Sequence, residues 1–199
     1  VEMGYWQVEI VGVYVDGKEL DVCADGSCRG IVDTGTSHIG VPSAFNSQLD
    51  ALLTRESGQH KDCREVDAPS LQIMLRSTNL TLGADSYMRR LPLSQSVKLG
   101  SGIGNEATPS AAATKPGKAG RKKWCTPKLT PVNFPAPLGP KLFILGEPVL
   151  ETYYTVFDWS EVPRVGFSPV VRDAGRRSPS LRKGAGPASQ GAPLPVVTV

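Results

Sequence analysis

"CRGIVDTGTSHIGVP", Cys28 to Pro42, is the stretch on which the reading of this chain turns. An apolar run ends on an aspartate, small hydroxyl residues and a glycine follow, and the chain becomes apolar again at Ile39. An aspartate at the end of a strand, followed by Thr34-Gly35, predicts a tight turn. There Gly35 brings its backbone N–H close to the carboxylate and accepts strained backbone angles. Such a turn fixes the anion. Alone, Asp-Thr-Gly is a weak signal, because similar Asx turns occur in ordinary loops. The rest of the chain must supply the weight.

With 199 residues, 40% hydrophobic and 21% charged, the chain can bury one sizeable core, so one globular domain with loose ends is expected. Gly and Pro make up about a fifth of the residues, which implies many turns. No apolar run approaches the roughly 20 residues of a membrane-spanning helix, so no membrane segment is expected and the chain reads as soluble. It begins at Val1 without an initiator methionine or a signal peptide, as a processed product or a truncated reading frame would.

The net charge of +3 is unevenly placed. Residues 101–123 and 172–199 together carry ten cations against two acids, a net +8, which leaves −5 on the remainder. Both stretches are rich in Gly, Ala, Ser, Pro and Lys or Arg with few large apolar side chains. They are read as a flexible basic insertion and a disordered basic tail around a domain of residues 1–171. Apart from Trp124 at the insertion's edge they lack aromatic readers, so nucleic acid is not an expected partner.

The remainder reads mostly as strands. "YWQVEIVGVYV", Tyr5 to Val15, alternates Trp6, Val8 and Ile10 against Gln7, Glu9 and Val11, and Asp16-Gly17 turns it into "KELDV". In "SLQIMLRSTNLTLGADSYM" the residues Leu71, Ile73 and Leu75 alternate with polar neighbours, turn at 77–79, and resume at Leu80 and Leu82. "KLFILG", "YYTVFDW" and "RVGFS" are three more β-prone runs, and the aromatics of the second are expected in the core. One helix is predicted over "SAFNSQLDALL", with Ser43 as N-cap and Phe45, Leu49, Leu52 and Leu53 on one face; a shorter helical turn is predicted over 147–152. The fold class is therefore all-β, barrel-like or a sandwich, with one or two short helices.

At this point the chain resembles the pepsin-like aspartic proteases, specifically their carboxy-terminal lobe. "GYWQVEI" is similar to the strand entering that lobe, "CADGSC" to its small disulfide loop, and "IVDTGTS" to the second of the two catalytic loops. "FILGEPVLETYYTVFDWSEVPRVGFSPV" is similar to its closing segment. Four pieces in order cover Gly4 to about Val170, apart from the insertion.

The resemblance implies that Asp33 is one of two catalytic carboxylates that share a proton and activate a water, with no metal or cofactor. It implies that Thr34 turns its hydroxyl toward the opposing catalytic loop and that Gly35 offers its N–H to the carboxylates. Thr36 would hydrogen-bond Asp33, Ser37 would lie beside the cleft, and Ile144, Leu145 and Gly146 would pass beneath the loop as apolar support. His38 departs from the family's usual apolar residue; it reads as a partly buried, hydrogen-bonded histidine or as an added pH sensor. The larger departure is that the chain has one Asp-Thr-Gly, so the second aspartate must come from an amino-terminal lobe.

Four cysteines allow three pairings. The resemblance implies Cys23 with Cys28 and Cys63 with Cys125; the competing use, a zinc site, lacks Cys-x-x-Cys spacing. Asn79-Leu80-Thr81 is a glycosylation sequon. Disulfides and sequon imply the secretory pathway, with a vacuolar, lysosomal or extracellular destination. Three functions follow: an aspartic endopeptidase half acting on polypeptides, a catalytically inactive pepsin-like binding or inhibitory module or fragment, and a self-associating enzyme in which two copies each supply Asp33.

Overall fold

A computed structural model of the chain describes residues 4–94, 122–170 and 196–198. Strands β1 (Gln7–Val15), β2 (Lys18–Leu20), β3 (Arg29–Val32) and β4 (Ile39–Pro42) lead into helix α1 (Ser43–Leu53). Strands β5 (Arg55–Glu56), β6 (Leu71–Leu75) and β7 (Asn79–Leu82) then precede the one-turn helix α2 (Ala84–Tyr87). Next come β8 (Leu93–Ser94), β9 (Lys123–Cys125), β10 (Leu129–Val132) and β11 (Leu142–Leu145), and the short α3 (Glu147–Leu150). The described chain ends with β12 (Tyr153–Asp158), β13 (Arg164–Pro169) and β14 (Val196–Thr198). It is mostly β-sheet, as the alternating patterns require. The main sheet runs β10-β4-β11-β3-β1-β6-β7, with β2 paired to β1, and does not close into a barrel.

The period-two pattern of β1 holds only as far as Ile10. Its register to β6 shifts between Ile10 and Gly12, so Val11 is an extra, exposed residue. One inserted residue inverts the parity of all that follows, and Val13 and Val15 join Val8 and Ile10 in the core. Asp16 (φ 49°) and Gly17 (φ 76°) then turn the chain into β2, and this left-handed backbone is why Asp-Gly signals a hairpin. The β6–β7 hairpin turns one step earlier than expected, with Asn79 already paired to Met74.

Helix α1 occupies the expected residues with a different cap. Ser43 Oγ donates to the carbonyl of Val132 at 3.0 Å, Pro42 takes the cap position, and no side chain caps the helix. Leu49 and Leu53 are buried, whereas Leu52 is exposed. The aromatic run likewise divides: Tyr153 is buried, but Tyr154, on the opposite face of β12, and Trp159, just past the strand's end, are exposed.

Two disulfides, Cys23–Cys28 and Cys63–Cys125, staple the fold. The second closes 62 residues of sequence separation, a loop whose closure contributes about 4 kcal/mol in the chain-entropy account. Of the basic insertion 101–123, residues 101–121 lie outside the described residues, and Lys123 opens β9. Of the tail 172–199, Val196–Thr198 differs from the expectation of no structure: this β-branched run pairs antiparallel to β13. The rest of the tail lies outside the described residues.

Candidate active site

Strands β3 and β4 are consecutive in sequence but not adjacent in the sheet. β11 lies between them, parallel to β3 through Ile144↔Ile31 and antiparallel to β4 through Leu145↔Ile39. The loop 33–38 therefore has to bridge over the end of β11. Asp33 N–H donates to Leu145 O at 3.1 Å, and Glu147 N–H donates to Thr36 O at 2.8 Å, so β11 and the start of α3 are bonded to both halves of the loop.

Alternation along β3 and β11 supplies an apolar floor. Val32, Phe143 and Leu145 point into the main core, whereas Ile31, Leu142 and Ile144 form a second buried cluster against Val132, Phe134 and Leu138. Covering on both faces explains why these strands read as continuous apolar runs. Above that second cluster opens a cleft of about 640 Å³, lined by Asp33 and Thr34 together with Trp6, Ile31, Phe134, Leu138, Ile144 and Phe157.

The Asp33 carboxylate is half-buried at this cleft and held at both oxygens. Oδ1 accepts from Gly35 N–H at 2.8 Å, and Oδ2 accepts from the Thr36 hydroxyl. Gly35 does this without left-handed backbone, since the described residues with positive φ are Gly4, Asp16, Gly17, Gly26, Gly58 and Gly139. The strained angle expected at Gly35 is therefore absent, and the N–H reaches the carboxylate from an ordinary turn. Thr34 is exposed and lines the cleft, whereas Ser37 is exposed and is not among the lining residues. An anion fixed by an N–H and a hydroxyl over apolar side chains can accept a proton or orient a water at a defined point.

Sequence reasoning missed the wall residues Phe134, Leu138 and Phe157. The first two lie in "NFPAPLG", a loop without periodicity, and the pattern of "YYTVFDW" marks Phe157 only as a core aromatic. Trp6 packs in tilted geometry against Phe157, with ring centroids 5.2 Å apart, and against Trp159 at 4.8 Å, so an aromatic cluster adjoins the cleft.

His38 is half-buried, and its Nδ1 lies 3.0 Å from Ser37 Oγ, the geometry of a hydrogen-bonded histidine. Burial holds its pKa below the ordinary 6.5, and the positive charges of Arg89 and Lys128 add to this against the opposing Glu147. The unfolded chain therefore takes up this proton first as pH falls. Stability supplied by neutral His38 is whole above about pH 6.5 and is lost as pH drops through the lower folded value. His38→Gln is expected to narrow the fall in Tm between pH 7.5 and 5 by about 2 °C. Thermal melts of the two proteins across that range check it; parallel curves would rule it out.

The eukaryotic aspartyl protease family model matches residues 1–170. Among curated relatives, cathepsin E-A of Xenopus laevis is 33% identical over 170 residues, covering 84% of this chain and 35% of the relative. Cathepsin D of Clupea harengus is 31% identical over 169 residues, covering 82% and 35%, and gastricsin of Mus musculus is 27% identical over 172 residues, covering 84% and 36%. The chain thus spans about a third of the length of the relatives it matches. With a match across 170 of its 199 residues, the chain belongs to the eukaryotic aspartyl protease family.

Proposed function

We propose that this chain is the carboxy-terminal lobe of an aspartic endopeptidase and that Asp33 is the second of its two catalytic carboxylates. The observation that carries the reading is the Asp33 carboxylate, gripped by Gly35 N–H and the Thr36 hydroxyl at the mouth of an apolar-floored cleft. Two carboxyl groups brought together hold one proton between them. One acts as general base on a water, and the other, protonated, polarises the scissile carbonyl. The partner carboxylate comes from the amino-terminal lobe. In this reading Thr34, exposed and lining the cleft, reaches toward that lobe's loop, and Ser37, exposed in the same loop, lies beside the cleft once the two lobes meet. Ile144 and Leu145 keep water from beneath the pair, with Gly146 at the crossing. The substrate is a polypeptide whose apolar side chains lie against Phe134, Leu138 and Ile144. The compartment is acidic and oxidising, vacuolar, lysosomal or extracellular, in keeping with two disulfides and with Asn79, exposed and available for glycosylation.

A chain with a single such aspartate is expected to give no turnover of an unstructured peptide at acidic pH by itself. It is also expected to bind a peptidic transition-state analogue at least about a thousandfold more weakly than the two lobes together. Titrating the purified chain with the analogue, alone and with the complementary lobe, tests this. Tight stoichiometric binding by the lone monomer would overturn the assignment of a missing partner carboxylate.

A further inference from the structure

A second cavity, of about 540 Å³, shares no lining residue with the Asp33 cleft. Three separate stretches build it: 56–61, then Leu91 and Pro92, then Lys122 and Lys123. Its cations are Lys61, Lys122 and Lys123, and its one acid is Glu56. Glu56 is bonded to Lys122 at 3.2 Å, and neither Lys61 nor Lys123 makes an ion pair among the described residues. The lining thus carries two more cations than acids.

The backbone that presents these lysines is held firmly. Lys123 lies in β9, between β5 and β8, and its carbonyl accepts from Ser57 N–H at 2.9 Å. Ser57 is itself buried, its carbonyl accepts from His60 N–H, and two residues beyond Lys123 the chain is tied by Cys63–Cys125. The cavity is positive because the end of the basic stretch, Lys122 and Lys123, meets Lys61 of the otherwise net-acidic remainder. The local field therefore selects anions there.

We propose that this cavity binds a sulfated polysaccharide chain. Three features favour that polyanion. Lysine ammoniums are point charges suited to sulfate esters, and the cavity offers no arginine fork for bidentate recognition of phosphate or carboxylate. No Phe, Tyr or Trp lines it and the small imidazole of His60 is its one ring, a poor stacking platform for successive nucleobases, whereas exposed Leu91 and half-buried Pro92 offer an apolar lip to a sugar ring. The disulfides place the protein in an oxidising compartment, where sulfated glycans are available.

The probe is a heparin octasaccharide, titrated calorimetrically against the full 199-residue chain over a range of salt. Lys61→Gln/Lys123→Gln is expected to weaken binding about tenfold or more and to lower the slope of log affinity against log salt by about two, with the thermal melt unchanged. De-sulfation of the oligosaccharide is expected to abolish binding. The proposal is overturned if the parent chain does not bind. It is also overturned if the double variant binds like the parent while Lys115→Gln/Lys118→Gln loses affinity, which would assign binding to the basic run alone. An oligonucleotide of equal charge bound as tightly would overturn the choice of polyanion.

Discussion

Asp33→Asn in the intact protease is expected to lower kcat/KM for peptide hydrolysis by a factor of about 10⁴ while the protein stays folded. The substitution keeps the shape of the side chain and removes its ability to take up a proton or share one. Gly35 N–H can still donate to the amide oxygen in place of Oδ1, and the Thr36 hydroxyl, which now donates to Oδ2, can turn and accept from the new NH₂. The loop therefore keeps its two contacts, and the expected change in stability is within about 1 kcal/mol. On the proposed role, the rate expected to be lost is that of general acid–base catalysis, about 10²–10⁴, together with the electrostatic contribution of a proton shared with a second carboxylate. Activity and thermal melting, measured on the same preparation, separate the two. A folded variant that retains turnover would remove Asp33 from the chemistry, whereas a variant that unfolds would show that the carboxylate is needed for the loop itself.

That expectation was legible in the sequence because the relevant contacts are local. Gly35 and Thr36 reach Asp33 across two and three residues, so "DTGT" contains its own geometry. The strands were legible for a similar reason, since side-chain parity in β6 and β7 needs no knowledge of the rest of the chain. What sequence reasoning could not see depends on distant partners. The hydroxyl of Ser43 is a sound N-cap by local rules, but it donates its hydrogen bond to Val132 O, 89 residues away. Burial pattern failed at Val11 because a bulge is decided by the register to β6. His38 shows both sides. Its hydrogen bond to Ser37 is a nearest-neighbour contact, but the burial that chiefly depresses its pKa, and the cations Arg89 and Lys128 that add to it, come from other parts of the chain. The basic cavity was invisible in the same way, for Lys61 and Lys123 become neighbours only when β9 pairs with β5.

Gly146→Ala is expected to destabilise the 199-residue chain by about 3–5 kcal/mol, a loss of about 10 °C in Tm. The backbone there has φ −92°, which any residue adopts, so glycine is required for room and not for conformation. A Cβ at this position would lie 2.3 Å from both Thr36 O and His38 O, well inside contact distance, and both obstacles are backbone. Side chains can rotate away from a clash, but these carbonyls belong to the main chain of the loop, and one of them is already bonded. Thr36 O accepts from Glu147 N–H, Asp33 N–H holds Leu145 O, and Leu145 is in register with Ile39 on the other side. Moving either carbonyl to admit a methyl group would loosen the crossing that suspends Asp33, so in the intact protease catalysis is expected to fall with stability. Urea unfolding of the parent and variant chains measures the first effect, and kcat of the intact enzyme at a temperature where both remain folded measures the second. A variant that unfolds within about 1 kcal/mol of the parent would mean that the loop can lift off β11 at little cost. The apolar support beneath Asp33 would then be a consequence of packing and not the clamp that positions the carboxylate.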